Sequence, residues 1–310
     1  MTTTLSNIID EVLINLSGYT LQQDRSTYLK TAVTTTTSSS ASPLVVALGS
    51  TDSVGKGTIE IDEELMWVDS YDRVGNTAVI APYGRGYLGT TAATHTADTR
   101  VVISPTFPRY AVKRAINDTI NSLGATIFAV KSTTFTFNAA VSTYAFNDLG
   151  IKNIINITWQ SIGPSKEWIP VRRWDLDTVA DTTTWGSGAQ TVTITDPIIS
   201  GRTVKVIYAT NPVAFSTTLP YTEDFVTQTG LPSSCRDVVV LGTAYRLLSY
   251  LDPARAAMVS PQADETDSKR PFGASQSTVK QLFALYNQRL ADETRAQQQN
   301  YPVKIHYSRR

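Results

Sequence analysis

Apolar side chains at Ile8, Ile9, Val12, Leu13 and Leu16 recur at i, i+4 spacing, and Gly18 interrupts the run. This pattern predicts an amphipathic helix over residues 5–17, with Asp10 and Glu11 in its first turns. A helix of that length needs partners to be stable. The same signature returns three times. Val112, Ile116, Ile120 and Leu123 follow a capping Thr106 and a first-turn Pro108, and Gly124 closes that segment. Val238, Leu241, Tyr245, Leu248 and Leu251 form the third stripe, which Val239, Val240, Ala244 and Leu247 widen until the helix reads as buried nearly all round. Val279, Leu282, Phe283, Tyr286 and Leu290 are the buried positions predicted for a last helix from about Ala274 to Asn300. Past Leu290 the sequence A-D-E-T-R-A-Q-Q-Q-N has no apolar stripe. That half-helix is predicted to project from the bundle or to lie on another subunit.

Between these segments the period changes to two. Ile59, Ile61 and Leu65–Val68 are interrupted by Glu60, Asp62 and Glu63, as in a sheet with one wet face. The turn signal Gly75-Asn76 predicts a hairpin of Met66–Val68 with Ala78–Ile80. Pro82, Gly84, Gly86 and Gly89 supply bends, and Thr99–Ile103 is a further strand. The run T-T-T-T-S-S-S-A-S at 34–42 is either a mobile loop or a polar β-edge. Residues 125–228 are again strand-rich. Lys131–Phe137 and Val141–Phe146 are expected to pair across Asn138–Ala140. Asn153–Gln160, Trp168–Trp174, Thr191–Thr195 and Thr203–Ala209 follow, and together they suggest a sandwich or small barrel. At the other end of the chain Tyr301, Val303, Ile305 and Tyr307 alternate with polar residues. This is a strand pattern without a local partner, suited to adding onto another chain's sheet edge.

Helices far apart in sequence that each need an apolar partner most simply form one bundle. The expected fold is therefore α+β: a helical bundle of about four helices with two inserted antiparallel β-domains and an extended C-terminal tail. Residues 1–18, 106–124 and 230–300 would supply the bundle, with a polar loop at 260–273. Residues 19–105 and 125–229 would be the first and second β-domains, and 301–310 the tail.

Composition narrows the function. Twenty-seven Lys and Arg balance 27 Asp and Glu, so the formal net charge is zero. A dedicated nucleic-acid binder normally carries a basic excess. Charged residues are 17% of the chain, against roughly 25% in an average globular protein. Either a subunit that buries much of itself in an assembly or a Thr-rich β-protein gives that figure. The single Cys235 excludes an intrachain disulfide and reads as a small buried hydrophobe at a helix start. The N-terminus lacks a basic region and a long apolar run, so no signal peptide is expected, and no window approaches the roughly 18 apolar residues of a membrane span.

Candidate chemistry is sparse. His95 reads as a packed or hydrogen-bonding residue and His306 lies in the tail. Asp62, Glu63 and Glu64 are adjacent, and a solvated strand face is the preferred reading. Gly49–Thr58 has the look of a phosphate loop but has Gly57 where Ser or Thr should follow Lys56, and the spacing of its glycines is wrong. Trp159, Trp168 and Trp174 suit core packing better than a carbohydrate platform. Arg109, Lys113 and Arg114 are read as a solvated helix face, with contact to an acidic partner as the alternative. No catalytic residue, metal ligand or cofactor site is identified, and an enzyme is not expected.

The strand pair I-x-I-D-E-E-x-M-x-V at Ile59–Val68, the segment R-G-x-L-G-T-T-A-A-x-H at Arg85–His95 and the strand Val101–Ile103 resemble the β-module of head-to-tail adaptor (connector) proteins of tailed bacteriophages. Compact adaptors lack so large a second β-insertion. The resemblance implies a structural virion protein at the neck, made in the bacterial cytoplasm. It implies a dodecameric ring that contacts the portal protein at one end and another neck or tail protein at the other. Genomic DNA would pass through the channel without sequence-specific binding, and no membrane is involved. The tail residues Tyr301, Val303, Ile305 and Tyr307 are the expected portal contact, with Arg295, Arg309 and Arg310 as further partner contacts. The alternative is a tail-associated protein with a glycan-binding β-domain.

Overall fold

A computed structural model describes residues 3–17, 24–147, 149–162, 166–216, 221–249 and 274–302. The chain clusters into two compact units. One takes in Met1–Asn117, Ser216–Glu223 and Val240–Ala284, the other Asp118–Phe215, Asp224–Val239 and Leu285–Arg310.

In the first unit, helix α1 (Leu5–Ser17) buries Ile8, Ile9, Val12 and Leu16 of the predicted stripe together with Leu5, while Leu13 is only half-buried. Six strands then build one antiparallel sheet: β1 (Arg25–Tyr28), β2 (Val45–Ala47), β3 (Gly57–Ile61), β4 (Glu64–Asp72), β5 (Thr77–Ile80) and β6 (Arg100–Ile103), in the order β1-β6-β3-β4-β5-β2. The sheet curls until its two edges meet. Leu29 bridges Leu48, Lys30 N donates to Ala47 O at 2.9 Å, and Gly49 N donates to Tyr28 O at 2.9 Å. Curling removes most of the open edge that a flat sheet would expose. Alternate residues point inward. Ile59 and Ile61, Met66 and Val68, Ala78 and Ile80, and Val101 and Ile103 form the core with Leu29, Val46 and Leu48. The β4–β5 hairpin pairs Val68 with Ile80 and runs on to Asp72 opposite Thr77, with a bulge between Val68 and Ser70. Helix α2 (Arg109–Leu123) follows the sheet.

The second unit holds seven strands in two sheets. β7 (Ala129–Thr136), β9 (Ile151–Gln160), β10 (Trp168–Pro170) and β13 (Thr203–Thr210) make a four-stranded sheet ordered β10-β9-β13-β7. β8 (Thr143–Asn147), β11 (Trp174–Asp177) and β12 (Ala189–Ile194) make a three-stranded sheet with β12 central. Side chains from both sheets share one core, with Ile154, Ile157, Val204 and Val206 from one and Phe146, Val192 and Ile194 from the other. Short helices α3 (Thr182–Trp185) and α4 (Phe225–Thr229) lie in the connections. Helices α5 (Arg236–Ser249) and α6 (Ala274–Asn300) complete the described elements.

This architecture overturns the expected four-helix bundle with two inserted β-domains. Among the described residues the chain forms thirteen strands in three sheets, one of them a curled six-strand antiparallel sheet, and six α-helices that do not make a bundle carrying two inserted domains. An amphipathic stripe requires that an apolar face be covered, but its period says nothing about whether a helix, a sheet or a loop covers it. The expected β7–β8 hairpin also fails. β7 pairs with β13, and β8 pairs with β12. Both strands alternate, and alternation is blind to which partner a strand takes. The loop at 260–273 lies outside the described residues.

Candidate functional site

In the first unit Arg85 and His95 converge on Glu64. It opens β4, its side chain is 0% exposed, and both of its oxygens are occupied. Oε1 accepts from Arg85 Nε at 2.6 Å and Gly86 N at 3.0 Å. Oε2 accepts from Arg85 Nη2 at 2.8 Å, Ala93 N at 2.9 Å and His95 Nε2 at 2.9 Å. The guanidinium grips the carboxylate with two parallel bonds, the strongest geometry available to that pair. Its remaining donors reach the carbonyls of Ala93, at 2.5 Å, and Thr35. On the far side of the imidazole, His95 Nδ1 donates to Asp62 Oδ2 at 2.7 Å.

A ring with a carboxylate oxygen on each nitrogen must donate twice, so it carries both protons. Burial alone would discharge His95, but the hydrogen bonds to Asp62 and Glu64 outweigh it and lift the pKa to about 9. Burial likewise pushes Glu64 up, and Arg85, His95 and the amides of Ala93 and Gly86 outweigh that and bring it down to about 2. Glu64, Arg85 and His95 are buried together, and the half-exposed Asp62 carboxylate lies at the rim of the cluster.

The backbone around it is shaped to fit. Asp62 occupies the two-residue turn between β3 and β4 with φ 53°. Gly86 has φ 60°, and a Cβ there would stand 2.7 Å from Thr90 O. Gly84 has no room for a side chain either, because a Cβ would meet Ala81 O and Trp67 O at 2.9 Å. Trp67 N donates to Gly84 O, and Thr90 Oγ1 accepts from Leu65 N, so the loop is laced to β4. The outer side of this fixed loop carries Tyr83, 88% exposed, and Leu88, 64% exposed, both at left-handed φ. Tyr87 stacks obliquely on Trp67 at 5.1 Å. The Thr/Ser run at 34–42 is neither strand nor free loop at its centre. Ser38 is buried, its hydroxyl donates to Ile80 O and accepts from Leu44 N, and its carbonyl accepts from Tyr83 N.

Reading Asp62–Glu64 as a solvated face is therefore wrong for Glu64. Lys113 also departs from the solvated reading. It is buried with its ammonium 4.6 Å from the centre of the Tyr221 ring, while Arg114 is exposed and Arg109 bonds Asp10 and Ser6. Trp159 and Trp174 pack against the sandwich core, and only Trp168 of the three is exposed, near Lys205.

Among the expected partner contacts, Tyr301 is 38% exposed at the end of α6, its ring centre 6.5 Å from that of Phe128. Arg295 is exposed and pairs with Asp292 at 3.9 Å. Val303, Ile305, Tyr307, Arg309 and Arg310 lie outside the described residues. The C-terminal half of α6 does not project. Gln297 is buried, donating to Phe128 O at 2.6 Å and accepting from Phe128 N at 3.1 Å, and Glu293 accepts from Ser234 Oγ at 2.7 Å. That half-helix docks through polar groups, which a search for apolar stripes does not register. Phe283, expected to be buried, is 46% exposed although its ring meets Tyr245 edge-on. Cys235 is buried, and burial is the main reason that its thiol is pushed up to about 12.

Among the described residues no cluster of His, Cys, Asp and Glu has the makings of a metal site, and no helix is long and apolar enough to cross a membrane. No protein-family model matches the chain, and no curated protein matches it either.

Proposed function

We propose that this protein is a structural component of a tailed-phage virion, a head-to-tail adaptor that forms a ring between the portal and the tail around the DNA channel. The observation that carries the proposal is the convergence of separate segments on Glu64. Asp62 and Glu64 come from the first of the segments on which the resemblance rests, and Arg85, Gly86, Ala93 and His95 from the second. Their polar groups are consumed by one another, so the motif acts as a fastening for a loop. That loop holds Tyr83 and Leu88 out into solvent on a backbone tied to β4 by hydrogen bonds. Rigid presentation of apolar side chains lowers the ordering cost of binding. In the proposed ring this loop lies against a neighbouring copy, and the tail from Tyr301 onward reaches the portal.

Electron microscopy tests this reading, using the purified full-length chain alone and mixed with the portal protein of the same phage. Rings with a central channel, seated on the portal, are the expected result. A chain that stays monomeric in the presence of portal and does not bind it would overturn the proposal.

A further inference from the structure

The second unit leaves a long sheet edge open. β7 pairs with β13 and is the outermost strand of its sheet. Phe137 N donates to Arg202 O at 2.7 Å, and the β7–β13 register runs without a shift from Thr136 opposite Thr203 to Ala129 opposite Thr210. The alternation of an antiparallel ladder therefore turns the N–H and C=O groups of Lys131, Thr133 and Phe135 toward β13, and those of Val130, Ser132, Thr134 and Thr136 away from it. Among the described residues no backbone group bonds to these four on the open side. Ser132, Thr134 and Thr136 are exposed, so the edge is accessible. The other edge strands of this unit are short. β10 has three residues and ends in Pro170, β8 has five and β11 has four. β7 has eight, with no proline or glycine among them, and such an edge is a template for a further strand.

Helix α6 delivers the chain to the start of this same edge. Gln297 bonds both the N–H and the carbonyl of Phe128, the residue before β7, and the Tyr301 ring centre lies 6.5 Å from that of Phe128. Phe128, Val130 and Tyr301 line one cavity of the second unit. Eight residues follow Pro302, and at about 3.3 Å per residue they match the length of β7. Their sequence, V-K-I-H-Y-S-R-R, opens with strict alternation of apolar and polar residues. A segment with the pattern of a strand thus begins where an edge lacking a strand begins.

We propose that the open edge of β7 is a strand-docking site and that its occupant, before any partner is met, is residues 303–310 of the same chain. A strand that leaves Phe128 and follows β7 runs parallel to it, and the slanted bonds of a parallel pair reach the outward groups of Val130, Ser132, Thr134 and Thr136. Side-chain chemistry sets the face. Phe135 and Tyr144 are half-buried at the rim of the sandwich core, their ring centres 4.3 Å apart. Val303, Ile305 and Tyr307 extend that apolar face, while Lys304, His306 and Ser308 fall beside the exposed hydroxyls of β7. The inference concerns the chain by itself, so it stands or falls apart from the adaptor reading.

Hydrogen exchange read amide by amide by NMR tests it on the full-length chain. The wild type is compared with a variant carrying Val303→Asp and Ile305→Asp, which destroys the apolar face of the segment. The amides of Val130, Ser132, Thr134 and Thr136 should exchange about tenfold faster in the variant, while those of Lys131, Thr133 and Phe135, held by β13, should not change. Equal rates at the first four amides would overturn the proposal. Thr134→Pro attacks the edge instead. It removes a donor that faces away from β13, a place where a sheet tolerates proline. Circular dichroism should show the fold kept, and trypsin should cut after Lys304 about tenfold faster than in the wild type. An unchanged rate of cleavage in a folded variant would also overturn it. Protection of the four amides that disappears on dilution would assign the strand to a second copy and refute the same-chain occupant.

Discussion

Glu64 and His95 tie the stability of the first unit to pH in opposite directions. Its carboxyl is lowered from 4.5 to about 2 in the fold, so its contribution is complete above pH 4.5 and disappears as pH falls toward 2. His95 is raised from 6.5 to about 9, so its contribution is complete below pH 6.5 and is lost as pH rises through 9. Both are in full only between those limits. The stability gap between the wild type and His95→Gln should therefore be widest from pH 4.5 to 6.5 and narrow by pH 9 to 10, as read by urea denaturation across that range. Arg85→Ala removes the bidentate partner and leaves a buried carboxylate short of donors. It should cost about 3–5 kcal/mol, measured by the same denaturation at pH 6. Gly86→Ala places a Cβ 2.7 Å from Thr90 O at φ 60°, and about 1–3 kcal/mol of strain is expected.

At the scale of elements, strands are read from sequence more surely than their partners. Ile59, Ile61, Met66 and Val68 alternate, and the curled sheet buries them as the alternation requires. The Gly75-Asn76 signal marks the hairpin that forms, because a short turn leaves only one neighbour within reach. Asn138–Ala140 looked similar, yet β7 and β8 enter different sheets. Long-range pairing with β13 and β12 won over the local turn, and no local signal announces that. The end of α6 carries the same lesson in polar form. Gln297 supplies the backbone of Phe128 with both a donor and an acceptor. Gln297→Ala should cost about 1–3 kcal/mol, and hydrogen exchange should speed up at Phe128 and over residues 293–300. Unchanged exchange there would show that this contact does not hold the helix end.

At the scale of the whole molecule, the loop laced to β4 and the final residues of the chain are the proposed points of assembly. Among the described residues, deleting Tyr301–Arg310 removes one aromatic contact, that of Tyr301 with Phe128. Circular dichroism should show the fold retained, while capture by the portal in a pull-down is lost. Retained capture would transfer the portal contact to another surface. The candidate site was only half legible in the sequence. Glu64, Arg85 and His95 all lie in the two patterned segments at 59–68 and 85–95, but Glu64 is one of three adjacent acids. Nothing local marks which of Asp62, Glu63 and Glu64 turns inward.

What the amino-acid order decided by itself is local: the stripe of α1, the alternation of β3 and β4, the tight bends at Gly84 and Gly86. These follow from backbone sterics and from apolar spacing, both of which act over a few residues. Which surfaces met was decided only in three dimensions. The apolar stripes did not dictate a bundle, and the joining of Glu64 to Arg85 and His95 spans long stretches of chain. Burial and the pairing of buried charge are properties of the closed fold, and they exist only once the distant segments are already side by side.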